Sequence, residues 1–173
     1  IDGAQAGDGN LSDYQVITPA NLREVVENPE RFLQSATEYF YRDPAPWSAD
    51  IGAPPSAAAI QRQTHLHAPA PHLPLTVLAT YFDGSGKELQ KKTWAEAAAC
   101  GAAEDQWVAS GRIVMNANEK PIRVYQPAFT DGFEYSPDPT PYFDTVTYDA
   151  QMREISTLSA KGFLTRTEFT AWS

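Results

Sequence analysis

The sequence holds one cysteine, Cys100, among 173 residues. An internal disulfide scaffold is therefore excluded, although the compartment is not fixed, since secreted proteins need not use disulfides. Basic residues are scarce: 13 Lys and Arg stand against 22 Asp and Glu, for a net charge of −9. That balance argues against a nucleic-acid backbone as partner. No apolar run approaches the roughly 18 residues of a membrane helix, and direct membrane contact is not expected. No signal peptide is visible. The chain opens Ile1-Asp2-Gly3 without an initiating Met, which reads as a processed product or a piece of something longer. Hydrophobic residues make up 42% and charged residues 20%. This is too apolar for disorder and long enough for one domain with its own core.

What is present is aromatic and β-prone: four Trp, eight Tyr and eight Phe, punctuated by 14 Pro. Residues 1–18 read as a Gly-, Asp- and Asn-rich lead-in. Thr18-Pro19 suggests a helix start, with Thr18 as N-cap and Pro19 at the first helical position. Leu22, Val25 and Val26 would form its apolar face, and Asn28-Pro29 would end it. A second short helix would bury Phe32, Leu33 and Ala36, completing a helical insertion over 19–36. Strands are expected at 37–42, 58–66, 75–83, 87–95, 106–115, 120–126, 143–148, 153–158 and 163–169. The Pro-rich stretch 43–57 and Ala68 to Pro74 read as extended connections, and the alanine-rich stretch 95–104 as a short helix or a loop.

Three stretches share one punctuation: YFDGSGK at 81–87, VMNANEK at 114–120 and TYDAQMR at 147–153. Asp83, Asn116 and Asp149 take the first turn position, and Lys87, Lys120 and Arg153 the fifth. The two separations are equal, 33 residues each by position. A hairpin recurring at fixed period is a repeat signature, and hairpins that are marginal alone can bury a shared face when stacked. Asp and Asn suit such turns because their side chains bond the backbone two residues on and tolerate left-handed dihedrals. The first turn holds Gly84 and Gly86. The third, with Met152, lacks glycine and is expected to differ.

Chemistry finds little support. His65 and His67 would share a strand face, but with His72 the only other histidine, no spacing selects further metal ligands. Cys100 sits among alanines with no charge to activate it. Ser110-Gly111 lacks the first glycine of a nucleophile elbow. Gly84 and Gly86 are not followed by a phosphate-cradling motif. Asp131, Glu134, Asp138 and Asp144, interleaved with prolines, read as a solvated loop. No enzyme activity, metal or cofactor is expected. Tyr39, Phe40, Tyr41, Tyr81, Phe82 and Trp94 read first as core, with an exposed lining face as the alternative.

Several motifs carry a family resemblance. Tyr148-Asp149 through Arg153 resembles the YD repeat of Rhs proteins. Thr80 to Lys92 resembles a Tyr-x-Asp-Gly-x-Gly-Arg-Glu-x-Gln-Lys-Lys segment in the B component of bacterial insecticidal Tc toxin complexes. Trp107, Gly111, Asn116, Lys120, Pro121, Arg123 and Tyr125 match a further segment in order, continued by Pro127 and Phe129. Arg166 to Trp172 resembles a Val-Glu-Phe-x-Pro-Trp stretch, and Gly7 to Leu11, Asn28-Pro29 to Thr37 and Phe40-Tyr41 also match. Gln126, Ala171 and Met152 depart from the pattern. The resemblance implies a mainly β fold, a twisted antiparallel sheet of YD/Rhs-type hairpins with a small helical insertion. It implies a secreted, non-catalytic segment of a hollow shell around a toxic cargo polypeptide. Its partners would be flanking repeats of the same polypeptide, the toxin C component and a pore-forming A component. The rival reading is a free-standing β-sheet module that binds protein or carbohydrate.

Overall fold

The computed structural model describes residues 17–18, 20–33, 38–42, 54–62, 75–95 and 106–170. His65, His67, His72, Cys100, Pro19, Ala36, Trp47 and Trp172, and the stretches 1–13, 68–74 and 96–104, lie outside them. The helical part begins later than Thr18. Helix α1 spans Leu22–Glu27, and its N-cap is Asn21, whose side chain accepts from the Glu24 amide at 3.0 Å. Glu24 reaches back to accept from the amide of Ala20, the residue before the cap, at 2.9 Å, while the Asn21 side chain satisfies one orphan donor of the first turn. Asn28 ends α1, and Pro29 starts α2 (Pro29–Phe32), where its missing N–H is harmless.

Among the described residues eleven strands follow: β1 Glu38–Arg42, β2 Ser56–Arg62, β3 Leu75–Phe82, β4 Glu88–Ala95, β5 Gln106–Ser110, β6 Ile113–Met115, β7 Pro121–Tyr125, β8 Ala128–Thr130, β9 Phe143–Tyr148, β10 Glu154–Leu158 and β11 Leu164–Arg166. All described pairings are antiparallel. The mainly β, antiparallel fold with a small helical insertion is the one expected, and its strands divide into two sheets. The first runs β1-β2-β3-β4-β5-β8 and the second β11-β10-β9-β7-β6.

The division explains why 106–115 is not one strand. At Gly111 the backbone adopts φ +72°, which no extended residue shares, and the chain leaves the first sheet there. β6 and β7 form a hairpin in the second sheet. The chain then returns at Gln126-Pro127 to lay β8 beside β5, with Trp107 opposite Thr130 and Ala109 opposite Ala128. Strand β8 was not expected from the sequence. Three residues flanked by prolines and glycine give too little alternation to read.

One face of the first sheet carries the core. Ala58, Ala79 and Lys92 stand in one cross-strand row, and Ser56, Tyr81 and Gln90 in the next. Leu22, Val25, Phe32 and Leu33 from the helical cap bury against Ala58, Ile60, Ala79 and Tyr81, with Phe133 and Tyr135 packed at the margin. Burial of these side chains supplies the main stabilisation, on the order of 25 cal/mol per Å² of apolar surface removed from water. The segment 131–142 is therefore not a freely solvated loop. It crosses the sheet face and carries two aromatic rings into the core margin.

Candidate functional site

The three Asp/Asn turns share one hydrogen-bond pattern. In the first, the Asp83 amide donates to the Lys87 carbonyl at 2.8 Å and the Gly86 amide to the Asp83 carbonyl at 3.1 Å. Asp83 Oδ1 accepts from the amides of Ser85 and Lys87, both at 2.8 Å. Asn116 Oδ1 accepts from Asn118 and Lys120 at 2.9 and 3.0 Å, and Asp149 Oδ1 from Gln151 and Arg153, both at 2.9 Å. One oxygen thus organises each turn by bonding the second and fourth amides after it.

The third turn does not depart from the others, contrary to the expectation drawn from its lack of glycine. Met152 sits at φ +61°, Glu119 at +58° and Gly86 at +86°, all at the fourth turn position. The hydrogen bonds hold non-glycine residues in a left-handed conformation that costs roughly 1–2 kcal/mol. A fourth turn escaped sequence reasoning. Ser159 replaces the Asp, its Oγ accepts from the Phe163 amide at 3.0 Å, and Gly162 takes φ +84° at the same position. Its Ser-x-x-Gly pattern was the available signal. It follows Asp149 by ten positions rather than 33, so a fixed period does not reach it.

Charge supports the turns unevenly. Hydrogen bonds from the Ser85 side chain and the Lys87 backbone hold the Asp83 carboxyl below its ordinary pKa. The Arg153 backbone amide, joined by its side chain, does the same for Asp149. Arg153 Nε also bonds Asp149 Oδ2 at 2.7 Å, and its guanidinium lies 4.4 Å from the Phe169 ring centre. Turns two and three touch where the Asn118 side-chain amide meets Met152 Sδ at 3.5 Å. The Tyr148 hydroxyl ties the same two hairpins by donating to the Pro121 carbonyl at 3.0 Å.

Two surface features combine exposed or cleft-lining apolar side chains. Strand β11 pairs with β10 alone among the described strands. Around that edge Phe163 is 71% exposed and Leu164 53%, with Leu158 and Phe169 also open. A cleft of about 600 Å³ lies between the helical cap and residues 131–134, floored by Val77, Trp94 and Trp107. The two indoles meet edge to face at 5.3 Å. Asp131, Glu134, Asp138 and Asp144 do not converge: Glu134 pairs with Arg23 at 2.7 Å, Asp138 accepts from Tyr125, and Asp144 accepts from the Ala160 amide. Among the described residues no group of three or more His, Cys, Asp or Glu could hold a metal ion. No described helix is long and apolar enough to cross a membrane.

Solved structures share this fold. The chain is similar to Tc toxin components. A crystal structure of TcdB2–TccC3 matches with a TM-score of 0.75 and 25% identity, over 98% of this chain and 9% of that one. A Tc holotoxin pore from Photorhabdus luminescens matches with a TM-score of 0.57 and 29% identity, over 68% of this chain and 6% of that one. A TcdB2–TccC3–Cdc42 crystal structure gives a TM-score of 0.56 and 28% identity, over 68% and 6%. This chain therefore spans less than a tenth of the length of the Tc toxin chains it matches. No protein-family model and no curated protein sequence matches it.

Proposed function

We propose that the chain is a non-catalytic segment of the hollow wall of YD repeats that encloses toxic cargo in a secreted Tc-type complex. The similarity to TcdB2–TccC3 across 98% of the chain carries this reading, because it spans the helical cap and both sheets rather than one hairpin. On this reading Asp83, Gly84, Gly86, Lys87, Asn116, Lys120, Asp149 and Arg153 form its repeat turns. The chain serves as one unit, with lead-in 1–18, helical insertion 19–36 and hairpin region 37–173. Its neighbours are flanking repeats of the same polypeptide and the toxin C component. The enclosed cargo polypeptide and a pore-forming A component complete the assembly. The β11 edge, bordered by exposed Phe163 and Leu164, suits pairing with a further strand.

A chimaera tests this role. Replacing the matching segment of TcdB2 with this chain should preserve assembly with TccC3, measured by co-purification and electron microscopy. Loss of assembly with the segment itself folded would count against the proposal. A free-standing binding module is the second reading, favoured by the cleft beside Trp94 and Trp107. Saturable binding of an oligosaccharide or peptide there, by a monomeric chain, would favour it over the wall.

A further inference from the structure

Residues 130–138 run from the last strand of the first sheet towards the second, and side chains from both ends of the molecule hold them. Lys92 is fully buried on the core face of β4. Its cross-strand neighbours are Ala79 on one side and Ala109 on the other, both buried and both small enough to let the long side chain stand up from the sheet. An ammonium carries three protons. Here they meet Thr130 Oγ1 at 2.7 Å, Ser136 Oγ at 3.1 Å and the Gly132 carbonyl at 3.2 Å. Gln90, also fully buried, donates to the Ser136 carbonyl and accepts from the Ser136 amide, each at 3.0 Å. It reads that residue's backbone as a neighbouring strand would. Tyr81, opposite Gln90 in the register, donates to the Phe133 carbonyl.

The far end is held from the second sheet and the crossing into it. Arg112 follows Gly111, where the chain changes sheets. Its Nε donates to the Pro137 carbonyl at 2.9 Å, and its guanidinium lies 5.7 Å from the Tyr135 ring centre. Tyr125, the buried last residue of β7, donates to the Asp138 carboxylate. Among the described strand pairings, none joins a strand of one sheet to a strand of the other. Beside the chain crossings at 111–112 and 126–127, this segment is bonded by side chains of both sheets.

We infer that residues 130–138 are a buckle that fixes the two sheets relative to one another, with Lys92 as its pin. A buried ammonium is an expensive choice where an apolar side chain would fill space. It gains direction in return, because three acceptors at set positions define one placement of the buckle. Gln90 and Lys92 belong to the Gln-Lys-Lys run of the sequence, and their burial gives that run a structural role that its polar character hid. Lys91, between them, faces the other way and pairs with Glu88 at 2.8 Å on the surface. The inference stands on these contacts alone and does not depend on the wall reading.

Nuclear magnetic resonance of the 173-residue chain tests the coupling. The Lys92 ammonium protons should exchange slowly enough to be observed near neutral pH. Tyr125→Phe removes one hydroxyl from the opposite end while keeping the ring against Phe143. It should speed exchange of the Lys92 ammonium by about tenfold and leave the β2–β3 amides unchanged. Reciprocally, Lys92→Met should speed exchange of the Arg112 Nε–H by a similar factor. Should Lys92→Met fail to fold, Tyr125→Phe still decides the matter. An unobservably fast Lys92 ammonium in the unaltered chain would overturn the inference. So would an ammonium indifferent to Tyr125→Phe, since each sheet would then hold its own end independently.

Discussion

Arg153 closes its turn on Asp149 twice, by a backbone amide to Oδ1 at 2.9 Å and by Nε to Oδ2 at 2.7 Å. Together these lower the Asp149 pKa from the ordinary 3.8, as the bonds from Ser85 and Lys87 lower that of Asp83. A carboxyl whose folded pKa is depressed contributes stability that is present above the unfolded value and lost as pH falls through the folded one. Melting temperature should therefore fall on acidification below about pH 4, and Asp149→Asn should shrink that fall. The amide keeps an Oδ1 acceptor, as Asn116 does naturally, but loses the charged Oδ2 acceptor of Arg153 Nε, so stability at neutral pH should fall modestly towards its value in acid. Thermal melts from about pH 2 to 7 check both statements. An unchanged acid slope in Asp149→Asn would count against the turn as its source.

The fourth turn position offers a conformational test with no contacts to confuse it. Glu119 is exposed at φ +58°, and Glu119→Gly should stabilise the chain by about 0.5–1 kcal/mol. Gly86→Ala should cost about 1 kcal/mol, although an added Cβ there meets nothing within 4 Å. Urea unfolding of the two variants measures the pair. Equal and near-zero effects would mean the turns are too frayed for their dihedrals to matter.

Burial pushes the Lys92 ammonium below its ordinary 10.5, with the carboxylates of Glu134 and Asp131 opposing the shift. Between the folded pKa and 10.5 the unfolded chain binds a proton that the folded chain has released. Stability from this group therefore rises with pH across that window. Lys92→Met should remove the alkaline rise and, by stranding three acceptors, lower stability at neutral pH by about 2 kcal/mol or more. Denaturant melts at neutral and alkaline pH compare the two chains.

Much of the strand pattern was legible because alternation is strong where one face is buried. β3 alternates half-buried and buried side chains almost throughout, with Val77, Ala79 and Tyr81 inward. The places that misled were those where tertiary contacts overrule local signals. Thr18 is a good cap in isolation, but Asn21 caps the helix, its side chain accepting from the Glu24 amide while the Glu24 carboxylate holds the Ala20 amide just before it. Residues 106–115 look like one strand, yet one glycine at positive φ sends the second half to another sheet. Lys92 reads as surface charge, since nothing local reveals two flanking alanines and three distant acceptors. The 131–142 segment reads as solvated for the same reason: its partners Tyr81, Gln90 and Lys92 lie about 40–50 positions away in sequence.

The open edge gives a further expectation. Phe163→Lys together with Leu164→Lys should leave folding intact, because both side chains are exposed and β11 is a short edge strand. The pair should weaken any self-association of the chain, since inserted lysines block edge pairing. Sedimentation at several concentrations would show it, and association undiminished in the double variant would place the contact elsewhere.

The central claim is that this chain is one stretch of a larger wall whose faces and edges are completed by neighbours. Light scattering across a concentration series, on the same sample followed by circular dichroism through thermal unfolding, tests it most directly. The wall reading predicts a mass that rises with concentration, or a broad transition as incompletely covered regions loosen first. A strict monomer that unfolds in one sharp step would contradict it, because such a chain satisfies its own surfaces without neighbours.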